Sequence, residues 1–150
     1  SRKILILEWL SIKKMKFYSP DICSKHPDAI FVFGDNMIKK GTRGQACIRN
    51  CMNSFGIPTK HLPARHEEAY FSDSDYSNVI PVIRAKFIQL NELLKTGKTI
   101  IWPEDGIGTG LADLPARAPS IYSYIQKCFA RLQELYPEPS PEKRPGMSIP

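Results

Sequence analysis

The sequence predicts an α/β fold, in which a mostly parallel or mixed sheet carries helices on its faces. Two short apolar runs, Ala29–Phe33 and Lys98–Trp102, are typical of strands that are buried on both sides. Each run is followed by glycines and then by a segment with helical spacing of its apolar residues. This alternation of strand and helix is the pattern of α/β proteins.

Composition and charge are those of one globular domain. The 150 residues are 42% hydrophobic and 24% charged, which argues against general disorder. The net charge is +6, but residues 17–136 carry 14 basic and 12 acidic side chains, and most of the excess lies in residues 1–16. A nearly neutral body argues against a general binding surface for nucleic acid.

The sequence also predicts the compartment. The longest apolar stretch, Ile4–Ile12, is interrupted by Glu8 and is too short to span a bilayer. Lys13 and Lys14 follow it where a signal peptide would need small residues, so a buried strand or short helix is favoured. The four cysteines form no CxxC pair, which favours reduced thiols. We therefore expect a cytoplasmic protein with no membrane partner.

Three segments show helical spacing. The first begins near Gly44 and ends at Gly56, and its apolar face holds Cys47, Ile48, Cys51, Met52 and Phe55. The second is Val82–Leu94, preceded by a long loop at residues 64–78. The third has one continuous apolar stripe of Ala118, Ile121, Tyr122, Ile125, Cys128, Phe129, Leu132 and Leu135.

We expect three parts along the chain. Residues 1–14 are an extension or an added strand, and Met15 could be a natural start. Residues 15–136 form the domain, opening with a strand that contains Met15 and Phe17. Residues 137–150 form a proline-rich tail that is predicted to be extended or disordered.

Two glycine-rich turns follow the two predicted strands. The first strand ends in Gly34–Asn36 and the next helix opens at Gly41–Ala46, whereas the second strand leads into Gly106–Gly110. Ligands of open α/β sheets bind at the carboxyl ends of the strands, and a G-x-G-x-G run lets the backbone approach an anion. The turns therefore predict a site for a phosphate-bearing ligand, although such glycines can also serve the turn alone. Neither turn has the spacing of a P-loop or a dinucleotide-binding fingerprint.

A metal site is not expected. Cys47, Cys51, His61 and His66 superficially resemble a zinc-finger ligand set, but the pairs are too close together and the cysteines lie on an apolar face. No histidine is placed to activate a cysteine nucleophile.

Lys60 ends the segment Ile57–Lys60, at the predicted end of a short strand. A lysine there could bind a phosphate as a point charge, act as a nucleophile if burial lowers its pKa, or lie on the surface in water. Asp113, just before Pro115, is predicted to be a helix N-cap.

The order of these motifs resembles a macro domain. The similar branch is the ADP-ribosyl-hydrolase type, which includes antitoxins of DNA-targeting ADP-ribosyltransferase toxins, and small phage and bacterial proteins share the form FVFGDN…GQA…GIPTK…GIGTGLA. The resemblance covers about residues 15–136, and its most specific parts are Gly106–Leu114 and Ile57–Lys60.

The resemblance implies a three-layer α/β/α macro-domain-like mixed sheet with a cleft for ADP-ribose and no cofactor. Lys60 would match the catalytic lysine that attacks or polarises the ribose C1″ linkage. Asp113 would match the family's aspartate, displaced by one residue, and would assist opening of the ribose ring. The implied ligand-binding residues are Gly34, Asp35, Asn36, Gly44, Gln45, Thr59, Gly106, Ile107, Gly108, Thr109, Gly110 and Leu111.

Two functions follow as expectations. The first is an enzyme that removes ADP-ribose from nucleic acid or protein. The second is a module that binds ADP-ribose or a signal nucleotide without turnover. A weaker third function is an adaptor that docks through the basic N-terminus and the proline-rich tail.

Overall fold

A computed structural model describes residues 11–138, whose strands form one parallel sheet. The strands are β1 (Ile12–Met15), β2 (Ala29–Asn36), β3 (Ser54–Lys60) and β4 (Thr99–Pro103). Their order in the sheet is β1-β4-β2-β3, and each neighbouring pair is parallel. The predicted α/β class is therefore confirmed. An isolated antiparallel bridge also joins Lys60 to Tyr70.

Two long helices and several short ones precede, separate or follow the strands. The α-helices are α1 (Pro20–Lys25), α2 (Tyr76–Lys95), α3 (Leu114–Arg117) and α4 (Pro119–Leu135). Short 3₁₀ helices lie at Gly44–Ile48, Glu67–Ala69 and Asp73–Asp75. Within residues 11–138, no helix is both long and apolar enough to cross a membrane. Residues 1–10 of the predicted extension and residues 139–150 of the predicted tail lie outside the described residues.

Both faces of the sheet are covered, because alternate residues of its strands enter different apolar clusters. Val32 packs in a cluster with α2 and α4, where the Trp102 ring stacks on Phe129 with centroids 4.1 Å apart. Phe31 and Phe33 pack on the opposite side, against α1 and the 3₁₀ helix Gly44–Ile48. Helices thus cover both faces of the sheet, and loops lie at the carboxyl ends of its strands.

The two long helices were largely predictable from their spacing. The last predicted helix is confirmed, except that its final stripe residue, Leu135, is exposed. Helix α2 begins at Tyr76, six residues before the predicted start at Val82. It extends into the predicted loop because Ser72 and Asp75 form a reciprocal capping box just before it.

The predicted helix over Cys47–Phe55 is wrong. It is replaced by a short 3₁₀ helix, a turn that exposes Met52, and the start of β3. Phe55 and Gly56 lie in β3 because they pair with β2. Gly56 is required by close packing and is not a helix stop, since a Cβ there would lie 2.5 Å from Oδ2 of Asp35.

Two further details of the strands differ from prediction. Residues 34–36, expected to be a turn, are the last three residues of β2, and the chain turns after them. Strand β1 ends at Met15, and Phe17, expected within a strand, is 73% exposed.

Candidate functional site

A cleft of about 580 Å³ opens at the carboxyl ends of β2 and β3, beside the loop that follows β4. It lies where the two glycine turns were predicted to meet. Ten of the predicted site residues line it, namely Gly34, Asp35, Asn36, Gly44, Gln45, Thr59, Lys60, Gly108, Gly110 and Leu111. The structure therefore brings together residues that are up to 77 positions apart in the chain.

Three residues of the second turn do not line this cleft. The side chain of Ile107 is buried in the core. Thr109 donates its hydroxyl to the backbone oxygen of Asp105 at 2.9 Å, on the outer side of the loop. Gly106 contributes its carbonyl oxygen to a hydrogen bond with Gln45.

Asp113 also lies outside the lining residues. It occupies the N-cap position of α3 with a left-handed φ of 48°, but its side chain makes no capping hydrogen bond. Its predicted capping role is therefore wrong, although its position at the helix start is right. Its carboxylate Oδ2 instead lies 3.6 Å from Nε of Arg117.

The side chain of Gln45 joins the two turns. Its Oε1 accepts a hydrogen bond from the backbone nitrogen of Gly34 at 2.9 Å, and its Nε2 donates to the carbonyl of Gly106 at 3.0 Å. One amide therefore satisfies a donor at the end of β2 and an acceptor after β4. The fixed spacing between the two turns follows from this bridge.

Gly34 and Gly108 let the two turns approach each other closely. A Cβ on Gly34 would lie 3.3 Å from Oγ1 of Thr59 and 3.5 Å from the backbone nitrogen of Gly108. Gly108 itself has a φ of 77°, and a Cβ there would lie 2.8 Å from Leu114. Gly110, in contrast, has no atom within 4 Å of its Cβ position, so this glycine leaves open space beside the cleft.

Backbone donors are available around the cleft. Among the described residues, the N–H groups of residues 108–112 and of Gly44 and Gln45 have no hydrogen-bond acceptor. Successive unpaired N–H groups and the start of a helical turn are typical anion-binding features.

The side chains that line the cleft are strongly positive. Lys40, Arg43, Lys60 and Arg65 all line it, and within residues 11–138 none of the four forms a salt bridge. The acidic residue among the lining residues, Asp35, is already paired with a cation outside them. The cleft therefore favours an anionic ligand.

Residues 13–128 match DUF7831, a family of unknown function. The chain belongs to this family. The match includes both glycine turns and Lys60. No curated protein matches the chain, and no solved structure matches it. The macro-domain resemblance therefore stays a prediction.

Lys60 is the most unusual ionisable group of this DUF7831 cleft. Its Nζ donates to the carbonyl of Ala64 at 2.6 Å and lies 4.4 Å from the centroid of the Tyr70 ring. Burial lowers the pKa of Lys60, and the positive charges of Arg117 and Arg65 lower it further. A larger share of Lys60 is thus a neutral amine than for an exposed lysine.

Arg49 is a site residue that sequence reasoning missed. Its guanidinium donates to Asp35 and to the carbonyls of Lys40 and Gly41, at 2.5, 3.1 and 2.8 Å. Asn36 holds the same loop, because its Nδ2 donates to the carbonyl of Lys40 at 2.7 Å. These contacts fix the loop over residues 37–43, which carries two of the cleft cations. An arginine three residues beyond a glycine-rich helix start has no distinctive spacing, so no sequence signal identified it.

None of the described cysteines and histidines is a lining residue of this cleft. Cys47 and Cys51 pack with Cys23 against the apolar cluster on the α1 side of the sheet. In the part of the chain that the structure describes, no three His, Cys, Asp or Glu side chains are grouped as metal ligands would be.

Proposed function

We propose that this protein binds ADP-ribose or a closely related nucleotide in the cleft and hydrolyses ADP-ribosyl adducts of nucleic acid or protein. The observation that carries the proposal is the convergence of four unpaired cations on a cleft lined by two glycine turns. Like charges that line one cleft repel each other, and a bound diphosphate would offset that repulsion.

The shape of the cleft is compatible with a nucleotide. Its volume of about 580 Å³ lies within the usual range for small-molecule sites, roughly 300–1,000 Å³. Leu111, which is 57% exposed, gives it an apolar surface against which a base or a ribose packs. The unpaired N–H groups of residues 108–112 supply donors for the phosphate oxygens.

Lys60 is the residue that we assign to the chemistry. Its neutral amine attacks C1″ of the ribose, the bond from C1″ to the adduct breaks, and the bonding electrons leave with the adduct. Ring opening then gives a Schiff base between Lys60 and the sugar, which water hydrolyses to release ADP-ribose and the free amine. The lowered pKa of Lys60 supports this role, because only the neutral amine is a nucleophile.

Asp113 is assigned an indirect role in this mechanism. Its carboxylate lies against Arg117, whose guanidinium is 3.7 Å from the centroid of the Tyr70 ring, and Lys60 contacts the same ring. Asp113 therefore affects Lys60 indirectly: it helps to hold the Arg117 guanidinium, whose positive charge lowers the pKa of Lys60.

Binding without turnover is the second candidate, and one observation favours it. Asp35 is the acidic residue among those lining the cleft, and it is held by Arg49. A hydrolase that activates water usually places a free carboxylate beside the reacting bond, and among the lining residues Asp35 is already paired. A module that sequesters ADP-ribose needs no such group.

Calorimetric titration with ADP-ribose tests the proposal. Lys60→Ala should keep most of the affinity of the wild type, because the glycine turns and the other three cations remain. Ligand at 100 times Kd should raise the free energy of unfolding by about 2.7 kcal/mol. Lys60→Ala should lose adduct hydrolysis and borohydride trapping, whereas Lys127→Ala, on an exposed face of α4, should keep both. Failure of wild type to bind would reject the proposal, and binding without turnover would establish the second candidate.

A further inference from the structure

A second cavity lies next to the first, on the other side of Tyr70. Its volume is about 370 Å³, and Tyr70 lines both cavities. Its charged walls come from three elements: Glu67 and Glu68 from one 3₁₀ helix, Asp75 from the 3₁₀ helix that precedes α2, and Arg117 from α3. Glu67 accepts a hydrogen bond from Arg117 at 2.9 Å. The proposed ADP-ribose cleft does not include these groups.

The second cavity contains a histidine held in one orientation. Nε2 of His61 lies 3.0 Å from Oδ2 of Asp75, and the imidazole ring packs edge-on against Phe71 with centroids 4.7 Å apart. Asp75 is itself fixed, since the same Oδ2 accepts a hydrogen bond from the backbone nitrogen of Ser72 at 2.9 Å. A carboxylate at Nε2 leaves Nδ1 as the nitrogen that can exchange a proton with a ligand. Among the described residues, no group hydrogen-bonds to Nδ1.

His61 also directly follows Lys60 in the chain. The two side chains line different cavities, with Tyr70 contributing to the wall of both. An adduct is larger than ADP-ribose. The portion beyond C1″ must therefore extend out of the first cleft at the position of Lys60. The second cavity shares Tyr70 with the first cleft and is therefore the space that we consider for that portion.

We propose that the second cavity holds the leaving portion of an ADP-ribosyl adduct and that His61, oriented by Asp75, is the acid that protonates it. This inference rests on the proposed function. As the Lys60 amine bonds to C1″, the bond from C1″ to the leaving atom breaks and its electron pair moves to that atom. The imidazolium of His61 gives its Nδ1 proton to the leaving atom, and the new secondary ammonium at Lys60 releases a proton to water.

A requirement for an acid at His61 defines the chemistry of the substrate. A leaving atom needs an acid when its conjugate acid is weak, as for an alkyl hydroxyl oxygen. A carboxylate or a nitrophenolate leaves without protonation. The natural adduct is therefore attached through a strongly basic leaving atom and is not an acyl ester.

A structural role for the same pair makes a different prediction. If His61 only braces the start of α2 through Asp75, its replacement changes stability and affects every substrate alike. Dependence on the leaving group therefore separates the two roles.

The test compares two synthetic substrates, the methyl and the 4-nitrophenyl glycosides of ADP-ribose at C1″. His61→Gln should lower kcat for the methyl glycoside by about 100-fold or more and leave kcat for the nitrophenyl glycoside within about threefold. ADP-ribose affinity should not change. His66→Gln, at an exposed position outside both cavities, is the matched control.

Asp75→Asn provides a second variant, which should show the same substrate dependence with a smaller loss. Equal loss on both glycosides, or no loss on either, would overturn the inference. The inference would also be overturned if the wild-type protein bound ADP-ribose but cleaved neither glycoside. In that case the proposal that the cleft binds ADP-ribose would still hold. Absence of ADP-ribose binding in wild type would reject the proposed function and the inference together.

Discussion

Arg49 donates from Nη2 to Oδ1 of Asp35 at 2.5 Å, and both side chains are largely buried, with exposures of 14% and 8%. This pair lies beside a cleft that otherwise gathers positive side chains. It neutralises the carboxylate that would repel a phosphate, and it anchors the loop that carries Lys40 and Arg43. Stability and ligand preference are thus linked through one ion pair.

Arg49→Ala should destabilise the fold. The substitution leaves the Asp35 carboxylate buried without its cation, which typically costs about 3 kcal/mol. Urea unfolding monitored by tryptophan fluorescence measures the loss. Arg131→Ala is the matched control, because Arg131 pairs with Glu134 at the surface and should cost less than about 1 kcal/mol. An equal decrease in the free energy of unfolding of the two variants would show that the buried pair contributes no more to stability than the surface pair.

Gln45→Ala should separate the two glycine turns. The variant leaves the backbone nitrogen of Gly34 and the carbonyl of Gly106 without partners, at a cost of roughly 1–3 kcal/mol. The amide hydrogen of Gly34 should exchange faster than in the wild type. Calorimetric titration should show weaker binding of ADP-ribose. Gln133→Ala, exposed on α4, should change neither. Unchanged exchange at Gly34 would mean that the bridge is not formed in solution.

Gly110→Val should weaken ligand binding and keep the fold, since its Cβ position has no atom within 4 Å. Gly108→Val should unfold or strongly destabilise the protein, because its backbone is left-handed and Leu114 occupies the space. Gly110 is therefore the better probe of the cleft, although Gly108 is the middle glycine of the motif. Melting temperature and ADP-ribose titration distinguish the two effects. A Gly110→Val variant that binds as well as wild type would place the ligand elsewhere.

Lys60 should make stability depend on pH in the alkaline range. Its pKa is lowered from 10.5 in the folded state, so the unfolded chain binds more protons between the two values. The free energy of unfolding should rise with pH across that window, and Lys60→Met should remove this rise. Nuclear magnetic resonance of dimethylated lysines should show Lys60 titrating at lower pH in the folded protein than in the urea-unfolded chain. Coincident titration in the two states would contradict the burial of the amine.

Local pattern was sufficient for the apolar parts of β2 and β4 and for the last helix, α4, but not for the start of β3 or the start of α2. Strands β2 and β4 are continuous apolar runs, and α4 has an uninterrupted stripe, so each signal is complete within one segment. The segment Cys47–Phe55 misled because its apolar spacing also fits a short 3₁₀ helix followed by a strand. The role of Gly56 depends on Asp35, a contact between strands that the local sequence does not contain.

The site was predictable to the extent that it lies in short motifs. The glycine turns and Lys60 carry their own spacing, and the structure places them around one cleft. The cations at Lys40, Arg43 and Arg65 were not identified, because a near-neutral total charge says nothing about where the charges converge. His61 and Asp75 are joined only by the folding of the loop before α2.

The sheet order has a consequence for synthesis. Strand β4 lies between β1 and β2, yet it is the last of the four described strands to leave the ribosome. Ile12 pairs with Ile100 in the sheet, and at ordinary translation rates roughly 4–18 s pass between the synthesis of these two residues. Until then β1 is unpaired and β2 presents an open edge, two surfaces on which nascent chains can aggregate. A ribosome stalled before residue 99 would display this vulnerable intermediate, and chaperone binding should peak at that chain length and fall once β4 emerges.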